Sequence, residues 1–571
     1  MLRKVLFCFI LTSSMMAQTK GPASIPTGEF QISGTLVDSV TGQPLSKARV
    51  AIAPVSQRAD FTTVVTGDDG RFAFRDLARN KYTLTAQRRG YLTESFNQHE
   101  QFASSIAVGA GLDSSNLVFR LAAESTISGI VTDDHGDGVR DAQVMLFQNT
   151  VAGGSRSTRQ RATTQTDEDG FYRFGHLPAG QYYVAVSAEP WYAEHFTPPT
   201  TTSFSVAQGS GVSTSFGSIG GVAGHASVPA PAEEQRSALD VSFPLTFYSG
   251  VTDASGATAI VLGKGEKASI DVVLTPVRAL HFRVNAGNLQ QQPGPTEQQY
   301  PFSIQLEQTL FDGIPVPVRT QYVTTEPGVA EVVGVTPGHY NLKINTWNKG
   351  QMQELQERDV ELSGSGELGP SSNTGSIPLA VEVIFDVLSA RDQLSVLLRS
   401  KKSGKVFKEP INDKGETAFK QGVLPGAYEV SLQSAKQIFM KSLSASGAKV
   451  TGRTLEIKGR APVKISITAV EGEGEVYGVA LRDGKETAGA MVVLVPADPA
   501  HNQVLFRRDQ SDTDGTFVLG SIVPGAYTLL AIQDGWDLEW AKPEILQRFM
   551  AQGEAIIVAP KGKYSVKVKV Q

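Results

Sequence analysis

The sequence predicts an all-β chain: a tandem array of small antiparallel Greek-key β-sandwiches, with one short helix in the last domain. Three observations carry this. Short runs of Val, Thr, Tyr and Phe alternate with turn residues throughout. Glycine and proline are frequent, at 56 and 29 of 571 residues, while charge is modest. Above all, the stretch Thr166–Val186, TDEDGFYRFGHLPAGQYYVAV, recurs in variant form along the chain.

That stretch reads as strand, turn, strand. Asp167 and Asp169 lead into Gly170, and an Asp-Gly pair favours a turn because glycine accepts positive φ without a steric penalty. Phe171–Phe174 form a short strand, Leu177-Pro178-Ala179-Gly180 turns the chain back, and Tyr182, Val184 and Val186 alternate on one face of the next strand. Upstream lie Ile127-Ser-Gly-Ile-Val-Thr-Asp133 and Ala142-Gln-Val144. An earlier copy runs from Ile32 through Ala48-Arg-Val50, Thr66-Gly-Asp-Asp-Gly70 and Leu77–Tyr82, with Asn80 in place of Gly180. Asn tolerates the left-handed region better than most residues, which would account for that exchange. A last copy runs from Val476 through Ala490-Met-Val492, Ser511-Asp-Thr-Asp514-Gly515 and Ile522–Tyr527. Fainter echoes stand at Val335–Ile344 and Asp413–Val430. Five sandwiches are expected, over residues 27–123, 124–278, 279–362, 373–470 and 471–571.

Two stretches stand outside this pattern. Residues 1–17 have a basic start (Arg3, Lys4), an apolar run and a small residue, Ala17, which is the form of a secretory signal peptide. Removing Arg3 and Lys4 takes the formal charge from −5 to −7. The only cysteine, Cys8, lies in the apolar run, so a chain cut after Ala17 has no thiol for disulfides, catalysis or metal. No later run approaches the roughly 20 apolar residues of a membrane helix. No basic stripe offers a footprint for nucleic acid. Residues of about 200–236 are rich in Ser, Gly, Thr and Ala and read as a disordered insertion in the second sandwich. The strands Val241–Tyr248 and Ile270–Leu274 would complete that sandwich. Pro543–Gly553 reads as the helix, with Ile545, Leu546, Phe549 and Met550 on one face.

The arrangement S-G-x-V-x-D, A-x-V-x-L, T-D-x-D-G-x-F-x-F and L-P-x-G-x-Y-x-V resembles the carboxypeptidase regulatory-like domain. The match is tight in Ile127–Val186, Ile32–Ala86 and Val476–Ala531. The resemblance implies a transthyretin-like (prealbumin-like) sandwich, of Ig-like build and related to the carbohydrate-binding-like folds. In metallocarboxypeptidases this domain accompanies the catalytic domain and does no chemistry. Taken whole, the chain is similar to exported bacterial proteins built of several such sandwiches.

Catalytic motifs are missing. The eight histidines (His99, His135, His176, His195, His225, His281, His339 and His501) open no H-E-x-x-H or H-x-x-E, and neither a G-x-S-x-G elbow nor a phosphate-binding G-x-x-x-x-G-K-[ST] loop occurs. No enzyme and no cofactor is expected. Clustered carboxylates on tight loops make Asp133, Asp137, Asp167, Asp169, Asp512 and Asp514 candidate calcium ligands, although turn geometry already accounts for the Asp-x-Asp-Gly pattern. Candidate sugar platforms are Tyr91, Trp191, Tyr192, Trp536 and Trp540, with Trp347 as a further aromatic. Tyr91, Trp191 and Trp536 share one repeat position, where an aromatic can instead seal the sandwich end. Isopeptide cross-linking, known in adhesin relatives of the fold, needs a lysine in an early strand, and Ile32–Val37, Ile127–Thr132 and Val476–Leu481 have none. The expectation is an exported, non-catalytic interaction or scaffold protein at the cell envelope, periplasmic, outer-surface or extracellular, with a protein or glycan partner. The alternative is glycan binding through exposed aromatics; an enzyme with an unfamiliar site is a distant third.

Overall fold

The computed structural model describes residues 27–57, 59–152, 154–195, 238–285, 302–311, 313–319, 321–326, 329–348, 351–368, 377–385, 394–401, 406–423, 425–434, 438–459 and 461–571. The expected signal peptide and the 200–236 insertion lie outside the described residues. The fold is all-β, with Pro543–Met550 the single α-helix among the described residues. It divides into two compact units, one of residues 1–122, 479–490 and 510–517, the other of residues 123–478, 491–509 and 518–571.

In the first unit, strand Thr27–Asp38 lies between Arg71–Leu77 and Leu117–Leu121, and a second sheet orders Thr62–Val65, Arg49–Pro54 and Asn80–Gln87. The core between them holds Ile32, Leu36, Val50, Phe72, Phe74, Tyr82, Leu84 and Phe119.

The second unit repeats the plan. Ser125–Asp133 pairs with Phe171–Leu177 on one side and with Lys267–Ser269 and Val272–Leu274 on the other. Gln143–Ala152 lies between Ser155–Gln165 and Gly180–Ser187 in the facing sheet. Thr246–Phe247 and Ile260–Leu262 both pair with Gly180–Ser187, so the strands after residue 237 join the sheets begun before it. Equivalent sheets form around Leu280–Asn285 and Ile377–Phe385, and Met491–Pro496, Gly525–Ile532 and Glu554–Val558 form another. Tyr182, Val184 and Val186 face the core, as alternation requires. The opposite face is covered too: Met145, Phe147, Ala185 and Phe247 pack with Leu310, Phe311 and Val316.

The sheets are not purely antiparallel. The closing strand of a copy runs parallel to its opening strand, as in Gly34–Asp38 against Leu117–Leu121 and Leu379–Phe385 against Val463–Ala469. This close approach explains the Ser-Gly of the motif. A Cβ on Gly34 would stand 2.2 Å from Leu117 O, and one on Gly129 1.8 Å from Ile270 O.

The motif's threonine and alanine form a buried clamp. The Thr166 hydroxyl donates to Val139 O at 2.6 Å and accepts from Ala142 N–H at 2.9 Å. Thr66 does the same with Leu45 O and Ala48 N–H, and Ser511 with Thr487 O and Ala490 N–H. One side-chain oxygen thus satisfies two backbone groups that would otherwise be buried without partners. The motif tyrosine closes the second turn. Tyr182 donates to Pro178 O at 2.7 Å, and Tyr82, Tyr340 and Tyr527 each donate to the carbonyl four residues back.

One sequence expectation needs correction. Gly70, Gly170 and Gly515 do take positive φ, but Asn80 and Gly180 do not. The left-handed residues of the second turn are Asp76, His176 and Ser521, just before the motif's Leu77, Leu177 and Ile522. In the first two copies each sits in a bulge, where three residues of its strand match two of the opening strand. The helix is also shorter than expected, ending at Met550, and buries only Leu546 fully.

Candidate functional site

The Asp-Gly turns use their carboxylates internally. Asp167 Oδ1 accepts from Asp169 N–H and Phe171 N–H, at 3.1 and 2.8 Å. Asp133 Oδ1 accepts from His135 N–H and Asp137 N–H, both at 2.9 Å. The equivalent Asp38 accepts from Val40 N–H and Thr41 N–H, and these bonds, Thr41's first, hold its carboxyl below the usual range although burial opposes them. Asp137, Asp167 and Asp169 are exposed. Asp133, Asp134 and His135 do present atoms close enough to share an ion, in a loop where Asp134 and His135 are exposed.

In the first unit the last copy's turn has a different role. Lys81 Nζ stands 2.6 Å from Asp512 Oδ2 and 3.2 Å from Asp514 Oδ1, and also contacts the Thr516 hydroxyl. Asp512 Oδ1 accepts from Ser105 N–H at 2.7 Å, Thr513 Oγ1 from Ala107 N–H at 2.8 Å, and Ser511 O from the Ser104 hydroxyl at 2.9 Å. Gln510 Nε2 adds bonds to Asn97 O and Ser104 Oγ, with His99 Nδ1 3.0 Å from its Oε1. Burial raises the Asp514 carboxyl, but the Thr516 hydroxyl and the Lys81 ammonium outweigh it, leaving the group lowered. Asp512 and Asp514, calcium candidates from sequence, therefore hold a lysine and backbone amides.

The aromatic candidates meet different fates. Trp191 is 89% exposed, with Tyr192 edge-on at 5.8 Å. Burial, and then the charges of Asp134 and Asp133, raise the Tyr192 phenol, which places the pair beside the 133–137 loop. Tyr91 is half-buried against the first core, donates to Asp38 Oδ2 at 3.1 Å and carries the Arg88 guanidinium over its ring. Trp536 and Trp540, expected among exposed platforms, are buried at 5% and 1% exposure, which removes them from any sugar-facing surface. Arg508 stacks over both rings, and Trp540 also packs on Phe506. Gly154 lies so close to Trp540 that a Cβ there would fall 2.4 Å from the indole, and Ala541 N–H donates to Gly154 O. The side chain of Trp347 lies outside the described residues.

A polar cluster that the sequence did not reveal lies in the second unit. The Asp240 carboxylate, 2% exposed, stands 3.1 Å from His195 Nδ1 and 2.9 Å from His281 Nε2. The two histidine side chains are 4% and 7% exposed. Glu194 N–H donates to Leu239 O, fixing His195 beside Asp240, while Leu280–Asn285 carries His281. Glu189 Oε1 lies 3.3 Å from His195 Nε2 and accepts from Gln321 Nε2 at 2.9 Å. Glu189 also lines a cleft of about 270 Å³ with Phe243, Arg319, Gly334 and Thr336. The only sequence signal was three chemistry-bearing residues spread over 86 positions, too diffuse to join.

Residues 31–122 and 126–216 match the carboxypeptidase regulatory-like domain. No curated protein matches the chain. Among solved structures, the Bacillus anthracis TIE protein is 11% identical, with 78% of this chain and 73% of that chain covered and a TM-score of 0.13. A streptococcal ancillary pilin is 11% identical, with 52% and 99% covered and a TM-score of 0.18. The RrgB pilus protein of Streptococcus pneumoniae is 10% identical, with 78% and 98% covered and a TM-score of 0.14. Likenesses this slight carry no argument; the sandwich assignment rests on the chain's own sheets and motifs.

Proposed function

We propose, for a chain that carries two carboxypeptidase regulatory-like domains at residues 31–122 and 126–216, an exported, non-catalytic scaffold role at the cell envelope. In this reading the five sandwiches bounded at 27–123, 124–278, 279–362, 373–470 and 471–571 serve as spacers and contact modules. The observation that supports it best is the use of the Asp512–Asp514 turn: its polar groups are taken up by Lys81, Ser105 and Ala107 of the first copy rather than turned toward a ligand. Repeats that bind through their own turns suit assembly, not chemistry. No helix among the described residues is long and apolar enough to cross a membrane. Cell fractionation with N-terminal sequencing tests the proposal. A mature chain beginning at Gln18 in the envelope or medium supports it, and an unprocessed chain confined to the cytoplasm sinks it.

Exposure of Trp191 beside Tyr192 favours a second reading, glycan binding at that pair. Polysaccharide retention lost in Trp191→Ala, with melting temperature unchanged, would establish it. Retention by neither protein would end it.

A further inference from the structure

The Asp240 cluster poses a charge problem. Asp240 is almost fully buried, and burying a carboxylate is costly unless it is paired with positive charge and hydrogen-bonded. Among the described residues the groups at hand are two imidazoles and a second carboxylate, Glu189. If His195 donates from Nδ1 to Asp240 while neutral, its Nε2 carries a lone pair that faces Glu189 Oε1 at 3.3 Å. Nε2 is buried and has no hydrogen-bond partner, although it stands within ion-pair distance of that oxygen. While Nε2 carries a lone pair it cannot bond to a carboxylate oxygen, so the atom is left unsatisfied.

A divalent cation resolves each of these points. With the ion on His195 Nδ1, the proton moves to Nε2 and faces Glu189, the carboxylate–histidine–metal arrangement by which a ligating imidazole is oriented. His281 Nε2 and an Asp240 oxygen complete three donors, and the donor atoms of the three residues lie within 4.8 Å of one another. Tetrahedral bonds of about 2.0–2.1 Å separate adjacent donors by about 3.3 Å, close to the observed 3.1 and 2.9 Å. Two imidazoles and one carboxylate suit a borderline transition ion better than calcium, which takes six or more oxygens.

We propose that His195, Asp240 and His281 bind one divalent transition-metal ion, with Zn²⁺ the best fit, and that Glu189 orients His195 from behind. The ion ties both flanks of residues 196–237 to strand Leu280–Asn285.

The test uses the full chain, stripped by dialysis against a chelator and titrated with ZnCl₂ in a calorimeter. One tight equivalent per chain is expected. His195→Gln and His281→Gln should each weaken it at least about 100-fold, and Glu189→Gln by about 10- to 100-fold, the usual effect of losing an outer partner. His135→Ala, which removes the histidine of the exposed 133–135 group, should leave it unchanged. The proposal is overturned if the stripped natural chain takes up no tight equivalent, if the equivalent survives both glutamine variants, or if it disappears in His135→Ala. Should the glutamine variants fail to fold, the natural chain loaded with Co²⁺ decides. Visible bands of a tetrahedral nitrogen–oxygen site, with two-imidazole scattering in X-ray absorption, support the site, and an octahedral aquo spectrum overturns it.

Discussion

Lys81 and Asp512 are 431 positions apart in the chain, yet the lysine ammonium stands 2.6 Å from the aspartate oxygen, with Asp514 as its second anion. The Lys81 side chain keeps 32% of its exposure and the aspartates keep 17% and 18%, so solvent screens the cluster only in part. Lys81→Met leaves two carboxylates crowded without their cation. Loss of a charged hydrogen bond at such a site costs about 2 kcal/mol. Denaturant unfolding should register that loss, and hydrogen exchange should quicken at Ile106–Val108, whose neighbour Ser105 leans on Asp512.

Acid should weaken the same region. Asp38 and Asp514 have folded pKa values below their unfolded ones, so their contribution is present above the unfolded value, near 4, and is lost as pH falls through the folded values. Stability measured from pH 6 down to pH 2 should drop below about pH 4, and Asp514→Asn should flatten part of that drop. An unchanged profile in the variant would contradict the assignment.

The tyrosine turn makes a prediction at the other end of the scale. Burial pushes the Tyr182 phenol up to about 12, with Arg161 opposing it weakly. The folded protein keeps this proton above pH 10, where the unfolded chain releases it, so the contribution is full below pH 10 and fades as pH rises toward 12. Tyr182→Phe should therefore cost about 1 kcal/mol at pH 7 through the lost bond to Pro178 O, and cost less at pH 11. Paired denaturant curves at the two pH values measure the difference.

Thr166→Val keeps the shape of the side chain and deletes the clamp. Ala142 N–H and Val139 O are then buried without a partner, at about 1–3 kcal/mol for each group left unsatisfied. Thr66→Val should act likewise in the first copy. Thermal unfolding that hardly moves in either variant would refute the clamp.

Trp191 and Trp540 should part company under truncation. Trp540→Ala empties a fully buried site, for which about 3–5 kcal/mol is typical, whereas Trp191→Ala should leave the melting temperature where it was. Added Ca²⁺ should leave melting unchanged as well, since Asp133 and Asp167 already cap their own turns.

Much of the fold was legible because each motif residue answers a local need. Gly170 takes positive φ, Thr166 clamps two backbone groups, and Tyr182 locks the turn four residues behind it. Less legible were features fixed by distant partners. Asp76, His176 and Ser521 share a left-handed backbone but no side-chain chemistry, so no pattern marked them. Trp191 and Trp536 occupy the same repeat position, and only the chain packed around them decides that one is open and the other covered. The Asp240 cluster draws on both sides of residues 196–237 and on the next sheet, a convergence that no local window of sequence contains.

The parallel pairing of opening and closing strands has a mechanical consequence. In the fourth copy, seven residue pairs join Leu379–Phe385 to Val463–Ala469. Tension entering at the start of that copy and leaving at its end pulls these two strands past each other along their length. The hydrogen bonds between them are then loaded together, in shear, instead of being peeled apart one after another. The first copy, with Gly34–Asp38 beside Leu117–Leu121, is built to be stretched in the same way.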